Sequence, residues 1–507
     1  MKALTTTLLA ASIVLVSGCA VSPESLTISE MQSGNSADRQ LASRLIEPVN
    51  GSIPIEEAIA RALKFNLDQR VKMLEQSLAA GELEAGKYDM LPKLLTNAGY
   101  DWRDNYSHRW DASYDSPTYI NKTSSLPDVS VDPEHNTWDL HLSWNILDFG
   151  ASYYTAKQNA NKLLIANEKR RRAMHALAQN VRQAYWRAVA AESLSGRVQQ
   201  TILDAEGALA ASEKLSQERI TAPAQALRYQ RNLLENLRLL ESVERELASA
   251  RIELSKLMGL MPGQKFTLVE PKASLIDLTV PMEELEARAL VGNADLRTEF
   301  LNTRNSIEET HKAILKLLPG ISFDYGTYYD SDRYLVNESW RAASVNVSYN
   351  LFNLLSMKSR MDVADKQEAL AQARRMALQM SVVTQVHLAV HQYNDSKRQY
   401  YRANSIFKVD SQLEQLVRGE YAGKMVSEQS AISANVTTIL SELRRYQAMS
   451  KYQEATGQLQ ATLGMEPQFQ SLDEVSLTDL TALILTWLNS NITSEAVAIP
   501  SETSEGA

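Results

Sequence analysis

Few residues in this 507-residue chain have the types and spacing that catalysis or metal binding requires. His387 and His391 lie four residues apart, which on a helix would place both imidazoles on one face, as a zinc site needs. No Glu directly follows the first histidine, and no third ligand stands at a suitable spacing. The sequence also lacks a glycine-rich phosphate loop and a hydrolase nucleophile elbow. We therefore expect no catalytic residue, no cofactor and no metal, and thus a protein that is not an enzyme.

The side chain with the clearest chemical role is Cys19, the only cysteine of the chain. An apolar run at positions 8–16 precedes it, followed by the small residues Ser17 and Gly18. Such a run is typical of a secretory signal peptide and is too short to span a bilayer. Residues 15–19 resemble the bacterial lipobox, in which the cysteine thiol is acylated and becomes the new N-terminus. The alternative is an unmodified cysteine beside an ordinary cleavage site.

The balance of charge argues against a nucleic-acid partner, because the net charge is −9. The basic run at positions 169–172 is the one local exception. It lies within a helical pattern, and we expect it to form a solvated helix face.

The sequence segments that would form the helices and strands of the fold occur twice along the chain. Residues 54–70 align without gaps on residues 281–297, and ten of the seventeen aligned positions are identical. Farther along, residues 143–145 correspond to residues 348–350. A duplicated unit of this length predicts a pseudo-symmetric architecture.

Two segments in each repeat alternate strictly between apolar and polar residues. The apolar sets include Ala98, Tyr100 and Trp102; Trp138, Leu140, Leu142 and Trp144; Ile321, Phe323 and Tyr325; and Val345 and Val347. The alternation predicts four strands, each with one apolar and one polar face. A membrane barrel with interfacial aromatic residues and a polar lumen fits this pattern. The alternative is a soluble antiparallel sheet whose apolar face covers a core.

An unusually long helical pattern follows each strand pair. No Pro occurs between Pro133 and Pro223, and neither Gly nor Pro occurs between Gly326 and Gly419. About 65 to 70 helical residues would extend on the order of 100 Å, which coiled-coil packing along a tube would use. Each pattern breaks once and then returns, so each repeat is predicted to contain a long helical hairpin.

These patterns divide the chain into six segments. They are a lipoprotein signal peptide (1–18), a lipid anchor with a polar tether (19–52), repeat one (53–262), a linker (263–280), repeat two (281–467), and an equatorial helix with a disordered C-terminal tail (468–507). Within repeat one we expect a helix, a strand pair at about 95–147 and a hairpin at about 150–260. Within repeat two we expect a helix, a strand pair at about 320–352 and a hairpin at about 355–465.

The order of these elements resembles the TolC family of outer-membrane channels. The resemblance rests on the Leu-Pro pair before the first strand of each repeat, on residues 143–150 leading into a long helix, and on the Gly-x-x-Pro endings at 259–262 and 464–467. It covers roughly residues 53–467. It implies a mixed α and β fold in which a membrane β-barrel, with four strands per subunit and twelve in a homotrimer, continues into a long α-helical coiled-coil periplasmic tunnel with a two-fold internal repeat.

The resemblance also implies function and partners. It predicts an outer-membrane channel, lipid-anchored and with a long periplasmic extension, that is the exit duct of a tripartite efflux pump or a type I secretion system. Its partners would be a periplasmic adaptor (membrane fusion protein), an ABC or proton-driven inner-membrane pump, and outer-membrane lipid. The alternative is a periplasmic coiled-coil adaptor or structural lipoprotein, against which the duplication and the paired amphipathic strands argue.

The breaks in the two long helical patterns are the candidate sites of this channel. They are expected at the end of the tube farthest from the membrane, where an adaptor would dock. The adaptor-contact turns are Thr221, Ala222 and Pro223, and Ala422, Gly423 and Lys424. The charged groups nearest the second turn, the candidate periplasmic gate, are Arg418, Glu420 and Glu428. Ion pairs among them or across subunits would hold the aperture shut.

Lipidation gives the first test. We expect Cys19→Ala to abolish incorporation of a palmitate analogue, because the variant lacks the thiol that is acylated. The measurement is metabolic labelling followed by capture of the protein, with Ser17→Ala as the control that keeps the thiol. Labelling of the Cys19→Ala protein at the wild-type level would show that the lipobox interpretation is wrong.

Overall fold

The computed structural model describes residues 24–49, 51–110, 128–217, 223–261, 263–272 and 277–467, together with 475–489 and positions 275, 472 and 492. The predicted signal peptide, Cys19 and the C-terminal tail from 493 lie outside the described residues. The chain divides into two units, residues 1–51 and 52–507, which are described separately.

The described part of the first unit contains a helix, α1 (Ile28–Leu45). Thr27 begins it with a capping box: its Oγ1 accepts from the Glu30 N–H at 3.2 Å, and its own N–H donates to Glu30 Oε2 at 2.8 Å. No residue of α1 is buried. The segment predicted as a polar tether is therefore locally helical.

In the second unit, each repeat contains two helices, two long strands, a long helix and a return helix. The unit begins with a short strand, β1 (Ser52–Ile53). Repeat one then contains α2 (Ile55–Phe65), α3 (Leu67–Tyr88), β2 (Lys93–Trp102), β3 (Ser107–Arg109), β4 (Asp128–Val131), β5 (Glu134–Asn145), α4 (Ile146–Gln217) and α5 (Pro223–Leu257). After β6 (Thr267–Leu268), repeat two contains α6 (Met282–Gly292), α7 (Ala294–Leu315), β7 (Gly320–Asp330), β8 (Ser339–Ser348), α8 (Phe352–Ala422) and α9 (Glu428–Leu463), and α10 (Leu477–Asn489) follows.

The four long strands form one antiparallel sheet in the order β2-β5-β7-β8. The strand pair of repeat one thus joins the pair of repeat two through β5 and β7. Two smaller pairings were not predicted. The strands β3 and β4 form an antiparallel hairpin within the longer connection of repeat one, and β1 pairs in parallel with β6. The second pairing ties the entry to repeat one to the linker at 263–280.

The long helices α4 and α8 have 72 and 71 residues. At 1.5 Å per residue each extends roughly 105 Å. Helix α4 packs against α5 and α9, and α8 packs against α9. Small buried residues line part of this packing, among them Ala184 and Ala188 on α4, so the helix axes can approach closely. Within the described part of the chain, no helix is both long enough and apolar enough to cross a lipid bilayer.

Each repeat contains a corner at which an Asn joins its first two helices to the end of its return helix, α5 in repeat one and α9 in repeat two. Asn66 ends α2 and begins α3: its Oδ1 accepts from the N–H groups of Asp68 and Gln69 at 3.0 and 3.1 Å. Its Nδ2 also donates to the carbonyl of Leu257, the last residue of α5, at 3.2 Å. Asn293 makes the equivalent bonds in repeat two, with Nδ2 donating to the Thr462 carbonyl at 3.2 Å. One side chain thus caps one helix and holds the end of another.

A glycine follows each return helix, Gly259 after α5 and Gly464 after α9. Each lies against the backbone at the end of the first helix of its repeat. Gly259 (φ +74°) and Gly464 (φ +66°) are both in the left-handed conformation that favours glycine. A Cβ on Gly259 would lie under 3.0 Å from the Phe65 carbonyl, and one on Gly464 under 3.0 Å from the Gly292 carbonyl. The Leu/Met-Gly endings seen in the sequence are therefore the closing contacts of each repeat.

A buried ion-pair network surrounds the second corner. Arg171 on α4 lies 2.5 Å from Glu168 and 2.6 Å from Glu466, and Arg297 on α7 lies 2.7 Å from Glu168. His175 adds a contact to Glu466 at 3.1 Å. Arg171 is only 16 % exposed, so the basic run at 169–172 is not the uniformly solvated face predicted from the sequence.

The corner glycines give a stability test. Gly464→Ala should lower the free energy of unfolding by about 3 kcal/mol, because the methyl group meets backbone and the residue must stay left-handed. Gly207→Ala on α4 is the matched control: its Cβ would meet nothing within 4 Å, and alanine favours the helix by up to about 1 kcal/mol. Denaturant unfolding of the purified protein, followed by circular dichroism, measures both. Equal stability of the two variants would contradict the closing role of Gly464.

Candidate functional site

The apolar face of the four-stranded sheet is exposed. Along β5 the exposure alternates residue by residue, and the apolar residues are the more exposed ones. Trp138 is 47 %, Leu142 42 % and Trp144 36 % exposed. The register places Leu142 between Leu94 of β2 and Tyr325 of β7 on the same face. A soluble sheet would bury this face against a core, so the structure argues against that alternative.

Two levels of aromatic contacts mark the ends of this apolar face. Trp138 stacks on Tyr329 with ring centroids 6.0 Å apart, and Trp144 contacts Phe323 at 6.2 Å. The two tryptophans are six positions apart on β5, which at a strand rise of about 3.4 Å places the levels roughly 20 Å apart along the strand. Aromatic residues at two levels of an apolar face are typical of outer-membrane barrels, whose apolar band carries aromatic girdles at both edges.

The opposite face of the sheet is polar and internally hydrogen-bonded. Asp139 Oδ1 lies 2.5 Å from His141 Nδ1, and Asn97 Nδ2 donates to both Asp139 carboxylate oxygens at 3.2 Å. The His141 ring stacks on Tyr328 at 6.4 Å, and Tyr328 stacks on Trp340 at 5.7 Å. From Asp139 to Asn145 the polar residues of β5 are the less exposed ones. The arrangement suits the wall of a water-filled lumen.

Both edges of this sheet remain open within the described chain. β2 pairs only with β5, and β8 pairs only with β7. Each edge strand is ten residues long and presents unpaired backbone groups along its outer side. The sheet can therefore continue into other copies of the chain on both sides.

The helix breaks lie at one end of the long hairpins. Pro223 begins α5, while Thr221 and Ala222 lie outside the described residues. α8 ends at Ala422, and the N–H of Gly423 donates to the Gly419 carbonyl at 3.1 Å. Lys424 adopts a left-handed φ of 57°, which is uncommon for a residue other than glycine. The turn is therefore tight and locally strained.

Contacts near the two breaks show that they lie at the same end. Asn236 of α5 donates to Ser433 of α9 at 3.3 Å. Burial raises the pKa of Tyr229, and the nearby Glu428 and Tyr421 raise it further. Tyr229 of α5 therefore lies close to both sides of the second turn.

The candidate gate residues do not pair with one another within the described chain. Arg418 instead bonds to Glu414, one turn earlier on α8. Glu414 is 8 % exposed and also accepts from Arg197 of α4 at 3.2 Å, and Arg197 reaches Glu442 of α9 at 2.8 Å. Within one chain, Arg418 thus belongs to a network that joins three helices. Pairing of Arg418, Glu420 and Glu428 across subunits stays a prediction.

Sequence reasoning missed Glu414, Arg197 and Glu442. Glu414 and Arg418 have the i, i+4 spacing that favours ion pairs on a helix, and this signal was available. The contacts to Arg197 and Glu442 join distant parts of the sequence and had no local signal. Among the described residues, no group of three His, Cys, Asp or Glu side chains could hold a metal ion.

Comparison with solved structures identifies the fold. The Campylobacter jejuni CmeC outer membrane channel matches with a TM-score of 0.63 and 14 % identity, covering 85 % of this chain and 89 % of that one. The chain has the fold of these outer-membrane channels. The open state of the Neisseria gonorrhoeae MtrE channel matches with a TM-score of 0.61 and 16 % identity, covering 82 % and 91 %. A Pseudomonas aeruginosa membrane protein gives 0.62 and 16 %, covering 81 % and 90 %.

No protein-family model and no curated protein sequence matches the chain. The solved structures confirm the resemblance to the TolC family at the level of the fold, a barrel joined to a helical tunnel. The proteins that share this fold in the comparison are channels rather than enzymes.

The two faces of the sheet can be tested separately. Leu142→Arg should strongly reduce membrane insertion, because a cation on a lipid-contacting face costs about 2–4 kcal/mol near the midplane. Ser143→Arg, one residue farther along β5 and on the polar face, is the matched control and should insert normally. The measurement is the fraction of each variant recovered in folded form with outer-membrane vesicles. Equal recovery of both variants would contradict the assignment of the faces.

Proposed function

We propose that this protein is a homotrimeric outer-membrane channel and the exit duct of a tripartite efflux pump or a type I secretion system. The observation that carries the proposal is the sheet with an exposed apolar face, a polar face and two open edges. In lipid, unpaired backbone groups are too costly to leave exposed, so only a closed sheet is stable there. Three copies of four strands would close a twelve-stranded barrel, which is wide enough to leave an aqueous lumen.

The same sheet supports placement in the outer membrane. An apolar surface as large as this one is unfavourable in water by about 25 cal/mol per Å² and favourable against hydrocarbon. Acylation of Cys19 would anchor the N-terminus to outer-membrane lipid and leave the polar segment after it as a tether. The fold shared with the outer membrane channels CmeC and MtrE supports this location.

The long hairpins would carry the duct from the membrane toward the inner-membrane machinery. Because α4 and α8 are each roughly 105 Å long and begin directly after strands of the sheet, the breaks at their far ends lie far from the sheet. The turns at Thr221, Ala222 and Pro223 and at Ala422, Gly423 and Lys424 would contact a periplasmic adaptor, the membrane fusion protein. Because the channel itself performs no chemistry, an inner-membrane ABC or proton-driven pump would supply the energy.

The charged groups at the second turn would control the aperture at this end. The pair of Arg418 with Glu414, and the links onward to Arg197 and Glu442, tie the last turns of α8 to α4 and α9. Glu420 and Glu428 remain available for contacts with neighbouring subunits. Loss of these contacts would let the tips of the hairpins separate.

The adaptor or structural lipoprotein hypothesis predicts a different behaviour. An adaptor has no barrel, so its migration on a gel would not depend on heating in detergent. A barrel resists cold detergent and unfolds only when heated. Heat-dependent migration of the extracted protein would therefore separate the two hypotheses.

Conductance of the purified trimer in planar bilayers tests both the duct and its gate. We expect discrete channels, and a severalfold larger conductance for Arg418→Ala and for the double variant Glu420→Ala with Glu428→Ala. Each change removes charges that would hold the tips together. Arg374→Ala is the matched control, because Arg374 is exposed on α8 and far from the turn in sequence. It should leave conductance unchanged.

The outcomes have different meanings. If a correctly folded wild-type protein formed no conducting channels in planar bilayers, the proposal that it is an exit duct would be wrong. Wild-type conductance of both gate variants would overturn only the gate. Normal transport by a Gly423→Trp variant in cells would show that the adaptor does not dock at this turn.

A further inference from the structure

A buried arginine lies in the middle of α4 without a carboxylate partner among the described residues. Arg182 is 4 % exposed. Its Nε and Nη2 donate to Gln453 Oε1 at 3.1 and 2.8 Å, and its Nη1 donates to Gln460 Oε1 at 2.8 Å. The guanidinium carbon also lies 5.8 Å from the centroid of the Trp487 ring. Every one of these partners is neutral.

This environment is unusual for a full positive charge. Buried charges in proteins are normally paired with an opposite charge or coordinated, because desolvation is costly. Burial lowers the pKa of Arg182 to about 10, so the side chain remains charged at neutral pH. Three of its five N–H groups make the bonds above, and the guanidinium can donate more.

Arg182 lines a cavity of about 450 Å³, a size suited to a small organic ligand. Trp186, one turn farther along α4, lines the same cavity and is 4 % exposed. Its indole Nε1 is buried with no hydrogen-bond acceptor in the described structure. A cation and an orphaned N–H donor therefore stand side by side in the wall, and both would be satisfied by one anionic acceptor.

The rest of the wall divides into polar and apolar parts. Tyr393 and Tyr452 line one side, with their hydroxyl oxygens 3.0 Å apart. Apolar side chains in the lining come from Leu485 and Leu488 of α10 and from Val269 after β6. Such a wall suits a ligand that has an uncharged body as well as an anionic head.

The remaining charges of the wall do not neutralise Arg182. Glu270 lines the cavity, but Tyr446 donates to it at 3.1 Å and Arg445 lies 3.8 Å away. Lys272 adds a second cation to the lining, and Glu56 adds one further carboxylate. With Glu270 engaged by Arg445, the lining has two cations, Arg182 and Lys272, and one other carboxylate, Glu56, and of the two cations only Arg182 is buried.

We propose that this cavity binds a small organic carboxylate, with the carboxylate against Arg182 and Trp186 and an apolar body against Leu485 and Leu488. The site lies among α4, α8, α9 and α10, away from both the sheet and the helix turns. The proposal therefore does not depend on the channel function. A bound anion would supply the charge that Arg182 lacks and would fasten α10 to the long helices.

The test is isothermal titration calorimetry of the purified full-length protein with 4-phenylbutyrate and with its uncharged analogue, 4-phenylbutanamide, in the same detergent. We expect the carboxylate to bind at least tenfold more tightly than the amide. Arg182→Gln should weaken carboxylate binding at least tenfold. Arg187→Gln is the matched control: it lies on the same helix, pairs with Glu253 at 2.6 Å and does not line the cavity. Its affinity should equal that of the wild type.

A second variant keeps the test valid if Arg182→Gln fails to fold. Leu488→Trp adds bulk to the apolar wall without touching the buried charge, and it should abolish binding of the carboxylate. Lack of carboxylate binding to the wild type would overturn the proposal. Equal affinities for carboxylate and amide, or wild-type affinity in a folded Arg182→Gln or Leu488→Trp protein, would do the same.

Discussion

The contact on which the rest of this structure depends is the corner where each return helix ends against the start of its own repeat. Asn66 and Asn293 each use both polar atoms of one amide, accepting from two N–H groups of the following helix and donating to the end of the return helix. Left-handed glycines let the backbones meet at the same point. Because any larger residue there would strike backbone, the return helix cannot slide along the helices that lead into the sheet.

The contacts at this corner explain the similarity between residues 54–70 and residues 281–297. The identities between residues 54–70 and 281–297 include the Asn that makes these hydrogen bonds and the Asp in the first turn of the next helix. The strands and hairpins need only keep their pattern of apolar, polar and small residues. The corner needs particular atoms, so it tolerates fewer substitutions than the elements that it connects.

The parts of the architecture that could be predicted from the sequence are those that depend on neighbouring residues or on a periodic pattern of residue types. Alternation along β5 predicted the two faces of the sheet, and the long stretches without Pro predicted the long helices. What could not be predicted depends on contacts between distant residues. The parallel pairing of β1 with β6 involves two residues on each side and leaves no periodic signal. Arg171 belongs to a basic run typical of a solvated face, and only its contact with Glu466, far along the chain, shows otherwise.

The ion-pair network around Arg171 and Glu466 also distinguishes the two repeats, which are otherwise similar in architecture. In the first corner Gly259 lies against the backbone carbonyl of Phe65, which also carries a side chain, whereas in the second Gly464 lies against Gly292, which has none. Charged groups from α4 surround this second corner. Burial disfavours the charged form of Glu466, yet hydrogen bonds from His175 and Arg171 hold its pKa at about 2. Since removing one partner of a buried pair costs about 3–5 kcal/mol, the ion pairs of α4 fasten repeat one to the corner of repeat two. The charge cluster thus adds a further link between the duplicated halves, which also meet through the pairing of β5 with β7.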